Sequence, residues 1–265
     1  MVESLTDNQR TGHIVLVFCL YTLFFFPLWV VLPALSEYVI ARRCFSMHGV
    51  FNTTGPVCGA DDVSRSAQQW NVWIMLACNI PSFLVALPLG RLMDVRGRRP
   101  VMIFCLATQL FGSAGMLAVC LFDLDLVWFM PPYIINGFGG GSYTLQTVLM
   151  ASLTDVAFSK RHSAVLLACA TAAYYACGCV GTLIGGYISN STGSFQFFPS
   201  LGGHEYQFSY VLFFVTNAAL LVVALIFWRE TLPSMSQKNS RSNNVLSCTR
   251  SLKTTFVGAV KPVSS

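Results

Sequence analysis

The stretch G-R-L-M-D-V-R-G-R-R, residues 90–99, lies in the short turn between the second and third of six long apolar stretches. Gly90 allows close helix approach, and Gly97 permits a tight turn with positive φ. Asp94, with Arg98 and Arg99, can form charge-assisted hydrogen bonds at the rim of a membrane. We therefore interpret the turn as a latch that holds one conformation of a helical bundle. The alternative is that its arginines only set the topology at the membrane interface.

The composition around this turn places the chain in a bilayer. Of its residues, 54% are hydrophobic and only 10% are charged, whereas soluble domains carry about 25% charge. About 20 apolar residues are needed to span about 30 Å of hydrocarbon as a helix. Six stretches have that length, and they predict an all-α, polytopic membrane protein: His13–Leu35, Trp70–Leu92, Val101–Leu121, Val127–Met150, Ala164–Ile188 and Phe208–Trp228.

Basic residues orient these spans. If the N-terminus lies in the cytosol, 13 of the 16 lysines and arginines fall in cytosolic segments, as the positive-inside rule requires. Two glycosylation acceptors, Asn52 and Asn190, then fall in outer loops. We expect a multi-pass protein of the plasma or endolysosomal membrane with both termini in the cytosol.

The first predicted outer loop, residues 36–69, contains Cys44 and Cys58. In an oxidising compartment these two can form a disulfide. Two free thiols, or bridges to another segment, are equally compatible with the sequence.

Part of the turn's residue pattern recurs later in the chain. Gly90, Asp94 and Gly97 recur 96 residues on as Gly186, Asn190 and Gly193. These positions follow spans two and five, which are partners in a 3+3 inverted repeat. The spacing therefore favours two inverted copies of a three-helix unit.

The pattern G-x-x-x-D-x-x-G-R-R resembles the signature of the major facilitator superfamily of transporters, where it occupies the cytosolic turn between helices two and three. The resemblance implies half of a twelve-helix fold. It also implies that Asp94, Arg98 and Arg99 stabilise the state closed to the cytosol. Val95 departs from the pattern, because the family usually has a basic residue there.

Two further stretches resemble one branch of that superfamily. M-A-S-L-T-D-V at Met150–Val156, followed by Arg161, and G-T-L-I-G-G from Gly181 look like the proton-coupled folate transporters and the thymic stromal cotransporters. The resemblance implies a folate-like cargo or another organic anion. No carboxylate or histidine lies inside a span, however, and a proton relay needs such a group.

Polar side chains within the spans are candidates for a solute path. Their amide and phenol groups can hydrogen-bond an organic solute or stack on its rings. The candidates are Asn79, Tyr133, Asn136, Gln146, Tyr174 and Tyr175. We leave out Gln109 and Asn217, which in the resembling fold face neighbouring helices or lipid. Small residues four apart let helices pack closely, and the predicted packing glycines are Gly137, Gly141, Gly181, Gly185 and Gly186.

We predict three segments: a tail at 1–12, a six-helix domain at 13–232 and a basic cytosolic tail or linker at 233–265. The chain is expected to carry a small organic solute by alternating access as the N-terminal half of a longer carrier, completed by a second six-helix half or by a second copy. A non-transporting receptor or regulatory form is the alternative. An enzyme is disfavoured, because no nucleophiles, metal ligands or paired carboxylates cluster at membrane depth. No cofactor, metal or nucleic acid is expected.

Overall fold

A computed structural model describes residues 7–49, 58, 61–190 and 206–228, which lie in one compact unit. Within these ranges the chain forms seven α-helices and a short 3-10 helix. They are α1 (Asp7–His48), α2 (Asp61–Arg96), α3 (Arg98–Leu121), the 3-10 helix (Leu126–Phe129), α4 (Met130–Phe138), α5 (Gly141–Val156), α6 (Lys160–Asn190) and α7 (Tyr206–Phe227).

Five of these helices, α1, α2, α3, α6 and α7, are long and apolar enough to cross a membrane. They coincide with five of the six predicted spans, and the all-α, polytopic fold class is confirmed. The helices form a bundle in which α1 packs against α6 and α7, α2 against α4, and α3 against α4 and α7.

The fourth predicted span, 127–150, is wrong as a continuous helix. It begins as the 3-10 helix, continues as α4 and breaks at Gly139 and Gly140, after which α5 starts. Gly140 and Gly141 have φ values of 80° and 58°, which residues with a Cβ rarely adopt. The amide of Gly140 donates to the carbonyl of Gly137 at 2.8 Å and thereby closes α4. Such interruptions occur at membrane depth where the backbone is buried in protein or lines a cavity.

The predicted outer loop 36–69 is largely helical. α1 continues to His48 and α2 already begins at Asp61. A disulfide joins Cys44 of α1 to Cys58, with Cα atoms 5.3 Å apart, and both residues are buried beside Val63. Arg43 donates to the hydroxyl of Ser66 at 2.8 Å and adds a second link between the two helices. We call this end of the bundle the disulfide end, and the end with the α2–α3 turn the motif end.

Glycines set the closest helix contacts. A Cβ on Gly181 or Gly185 would collide with Trp29 or Val30 of α1, and one on Gly137 with Cys78 of α2. Gly141 lies against Ser82. The prediction for Gly186 is wrong within the described residues, because a Cβ there would meet nothing within 4 Å. Gly178 packs on Trp29 instead.

Candidate functional site

A cavity of about 260 Å³ lies among the helices and is partly open to the outside of the bundle, since Asn79 and Tyr143 in its lining are exposed. Side chains from all seven helices line it, including five of the six predicted path residues: Asn79, Tyr133, Asn136, Gln146 and Tyr174. The sixth, Tyr175, is not among the lining residues and is 66% exposed. Helix geometry explains the difference, since consecutive residues point about 100° apart around a helix of 3.6 residues per turn.

Gln109 also lines the cavity, although in the resembling fold it was expected to face neighbouring helices or lipid. It lies on α3 and is 2% exposed, so it faces neither lipid nor solvent. Asn217 is equally buried but is not among the lining residues. The sequence signal for Gln109 was its presence in an apolar span; which way it faces became visible only in the packed bundle.

Aromatic rings form one wall of the cavity. The ring of Tyr174 lies edge-on to Phe25, at a centroid distance of 4.9 Å, and to Trp29, at 5.6 Å. Gln146 donates to the hydroxyl of Tyr21 at 3.2 Å, and the ring of Tyr21 lies against Phe25 at a centroid distance of 4.7 Å. Rings held in place by other rings offer a flat apolar surface with little rotamer freedom left to lose on binding.

Three of the residues that line the cavity have a buried polar atom without a hydrogen-bond partner in the described part of the chain. Among the described residues, the Nε2 of Gln109, the Oδ1 of Asn136 and the Nε1 of Trp29 are buried without a hydrogen-bond partner. Unpaired buried polar atoms are costly.

At the motif end, Gly97 separates α2 from α3 and has a φ of 102°. Arg98, the first residue of α3, forms a two-bond ion pair with Asp155 of α5: its Nε donates to Oδ2, and its Nη2 donates to Oδ1 at 3.0 Å. Arg99 donates to the carbonyl of Leu225 of α7 at 3.1 Å. The turn thus ties α3 to α5 and α7.

Asp94, which we expected to supply charge-assisted bonds together with Arg98 and Arg99, is exposed. In the described part of the chain, the carboxylate of Asp155 pairs with Arg98. We expected Gly90 to allow a close helix approach. Within the described ranges a Cβ on Gly90 would meet nothing within 4 Å.

Beside this ion pair, the start of α1 meets the end of α7. The rings of His13 and Trp228 lie 5.1 Å apart, and both residues are buried. Together with the Arg98–Asp155 pair, this contact joins α1, α3, α5 and α7 at one end of the bundle.

Other predicted sites give little to describe. Asn52 lies outside the described residues. Asn190 is the last residue of α6, but its side chain and the rest of its acceptor sequence lie outside them. Among the residues that the structure describes, no three His, Cys, Asp or Glu side chains are grouped so that they could hold a metal ion.

Five apolar helices of membrane-spanning length define the class of this protein as a polytopic membrane protein. A cavity lined by aromatic and amide side chains lies among its helices. The model of the Major Facilitator Superfamily matches residues 14–262. The chain belongs to the major facilitator superfamily, whose members are transporters.

Among curated proteins, the chain is similar to the MFS efflux pump atnC of Emericella nidulans. The two are 26% identical over 139 residues, which cover 49% of this chain and 27% of the pump. The chain thus matches about a quarter of the length of this relative.

Proposed function

We propose that this chain carries a small organic solute across the membrane by alternating access, with the internal cavity as its binding site. The cavity is the observation that supports the proposal, because it combines a wall of packed aromatic rings with amide side chains among apolar helices. Pockets of this kind bind organic molecules, since apolar walls supply affinity and a few polar groups supply orientation.

Alternating access requires two bundles that rock about a shared site. We propose that a second six-helix half or a second copy of this chain supplies the other bundle. An exposed apolar face on α2 supports this, since Ile80, Phe83 and Leu87 are 57–81% exposed in the chain by itself. Lipid covers whatever part of that face the second bundle leaves open.

The resemblance to folate transporters makes organic anions the first cargo class to test. Among the described residues that line the cavity there is no lysine, arginine, histidine or acid, so any net charge on the cargo would meet neutral donors or acceptors there. For the direction of transport, the fungal relative supplies export as the first hypothesis.

The proposal is tested in proteoliposomes that contain the chain at a high protein-to-lipid ratio, so that two copies can meet. Release of trapped fluorescein, umbelliferone and rhodamine 123 reports on an anionic, a neutral and a cationic ring. We expect release of at least one dye to depend on Tyr174, which lines the cavity, and to survive Tyr175→Ala. Tyr175 is the matched control, because it is the neighbouring tyrosine outside the cavity.

The alternative, a receptor or regulatory form, predicts a different result. A dye would then bind the chain in a Tyr174-dependent way, but its release would equal that from protein-free liposomes. This outcome would overturn the transport proposal while retaining the cavity as a ligand site.

A further inference from the structure

The motif end presents two pairs of basic residues at the start of two helices. α3 begins with Arg98 and Arg99, α6 begins with Lys160 and Arg161, and in these described helices neither first turn contains an acid. The positive end of a helix dipole lies at its N-terminus, so cations there reduce stability unless a negative partner offsets them. Asp155 offsets Arg98, whereas Lys160 and Arg161 are exposed.

Two contacts hold these basic residues on one surface. The ion pair between Arg98 and Asp155 fastens the α2–α3 turn to the end of α5. Three residues after Asp155, the guanidinium of Arg10 from α1 lies over the ring of Phe158, 5.3 Å from its centroid. Lys160 follows Phe158 by two residues, so the two turns and the start of α1 adjoin. We call this surface the basic patch: Arg10, Arg96, Arg99, Phe158, Lys160 and Arg161.

Apolar side chains are exposed among these charges. Phe158 is 50% exposed, and Val95, beside Arg96, is 57% exposed. The apolar runs of α3 and α6 begin within a few residues of the patch, at Val101 and Ala164, so the patch lies at the depth of lipid headgroups. An acidic soluble protein would meet the cations and leave the apolar side chains in lipid, whereas a phospholipid meets both.

The acids at this end are too few to neutralise the patch. Among the side chains that the structure describes there, the acids are Asp94, which is exposed, and Asp155, which pairs with Arg98. Seven basic side chains lie at the same end: Arg10, Arg91, Arg96, Arg98, Arg99, Lys160 and Arg161. Basic clusters at the ends of membrane-spanning helices attract anionic lipids.

We propose that the basic patch binds an anionic phospholipid of the adjoining leaflet. The phosphate lies at Lys160 and Arg161 and offsets the charges that oppose the α6 dipole, and the ring of Phe158 packs against the glycerol and upper acyl chains. The lipid binds where the Arg98–Asp155 pair joins the two turns, so it stabilises the closed motif end. The site is separate from the cavity and does not rest on the proposed function, nor on which side of the membrane the motif end faces.

The test is native mass spectrometry of the full chain from detergent micelles that contain equal amounts of dioleoylphosphatidylglycerol and dioleoylphosphatidylcholine. We expect the first retained lipid to be the anionic one. Each basic residue near an anionic surface contributes about fivefold to the preference. Arg161→Gln should therefore lower the ratio of the two retained lipids about fivefold, and Lys160→Gln with Arg161→Gln should lower it about tenfold to thirtyfold.

Thermal unfolding in nanodiscs verifies that the variants fold and tests the stabilisation. In phosphatidylcholine nanodiscs the double variant should unfold at the wild-type temperature or slightly above it, because it removes cations from a helix start. In phosphatidylglycerol nanodiscs the wild type should gain more Tm than the double variant. An equal gain would contradict stabilisation of the motif end through these two residues.

Arg65→Gln is the charge-matched control, since Arg65 is an exposed arginine of α2 at the disulfide end. It should leave the lipid ratio unchanged; a decrease as large as that of Arg161→Gln would show a general charge effect and overturn the site. Equal retention of the two lipids, or the same ratio in the wild type and the double variant, would leave the basic residues with a role in topology alone. Displacement of the lipid by equimolar inorganic phosphate or glycerophosphoglycerol would assign the patch to a soluble anion and overturn the lipid site.

Discussion

The ion pair between Arg98 and Asp155 makes the sharpest prediction about stability. Arg98 is 8% exposed, so Asp155→Asn removes a carboxylate with which a largely buried guanidinium pairs. Removing one partner of a buried ion pair costs about 3–5 kcal/mol. Since part of Asp155 reaches solvent, we take the lower bound of about 3 kcal/mol. At about 2–4 °C per kcal/mol for a domain of this size, Tm should fall by about 6–12 °C.

The measurement is differential scanning fluorimetry of the purified chain in detergent. Asp94→Asn is the control, because it removes an exposed acid of the same turn and should leave Tm nearly unchanged. A double variant, Arg98→Leu with Asp155→Asn, completes a double-mutant cycle. It should lose much less stability than the two single variants added together, since no unpaired buried charge remains. If Asp94→Asn lowers Tm as much as Asp155→Asn does, the assignment of the latch to Asp155 is wrong.

Three further predictions concern packing, the disulfide and orientation. Gly185→Ala should destabilise the bundle by about 1–3 kcal/mol, because the added Cβ overpacks against α1. Gly186→Ala should be neutral or slightly stabilising. Size-exclusion profiles recorded after heating to a series of temperatures compare the stability of the two variants. Cys44→Ser should lower the free energy of unfolding by about 3 kcal/mol, given the 14-residue separation of the bridged cysteines. It should also abolish the difference in mobility between reduced and non-reduced gels. An unchanged Tm would contradict a structural role of the disulfide. Asn52→Gln and Asn190→Gln should each remove one enzymatically cleavable glycan, and glycan-free wild-type protein would refute the proposed orientation.

Much of the fold could be predicted because membrane spans are a local property of sequence. About 20 apolar residues in a row satisfy the bilayer whatever their neighbours do, and five spans follow from that alone. The extension of α1 beyond Leu35 was missed because Glu37, Arg42 and Arg43 end the apolar run. Tertiary links to α2, the disulfide and the Arg43–Ser66 hydrogen bond, accompany the helix there.

The break in the fourth span was visible only in part. The triplet Gly139–Gly141 stood in the sequence, but hydropathy carries no information on φ, and an apolar stretch reads the same whether its helix is continuous or divided. Once the backbone is known, the positive φ values of Gly140 and Gly141 explain why glycine is needed there.

Which acid pairs with Arg98 could not be predicted from the sequence. Asp155 lies 57 residues from Arg98 along the chain, so the sequence by itself did not indicate that the two side chains would pair. The bundle brings the end of α5 to the start of α3, and it buries Gln109 in the same way against a cavity formed by distant segments.

The bridge between Cys44 and Cys58 also restricts how this half of the molecule can move. With 42 and 36 residues, α1 and α2 are about 63 and 54 Å long, and the bond joins them near one tip, since Cys58 precedes α2 by only three residues. Lengthwise sliding of one rod past the other is therefore blocked. Because the two helices are joined at this end, any separation between them must be widest at the opposite end, beside Gly97.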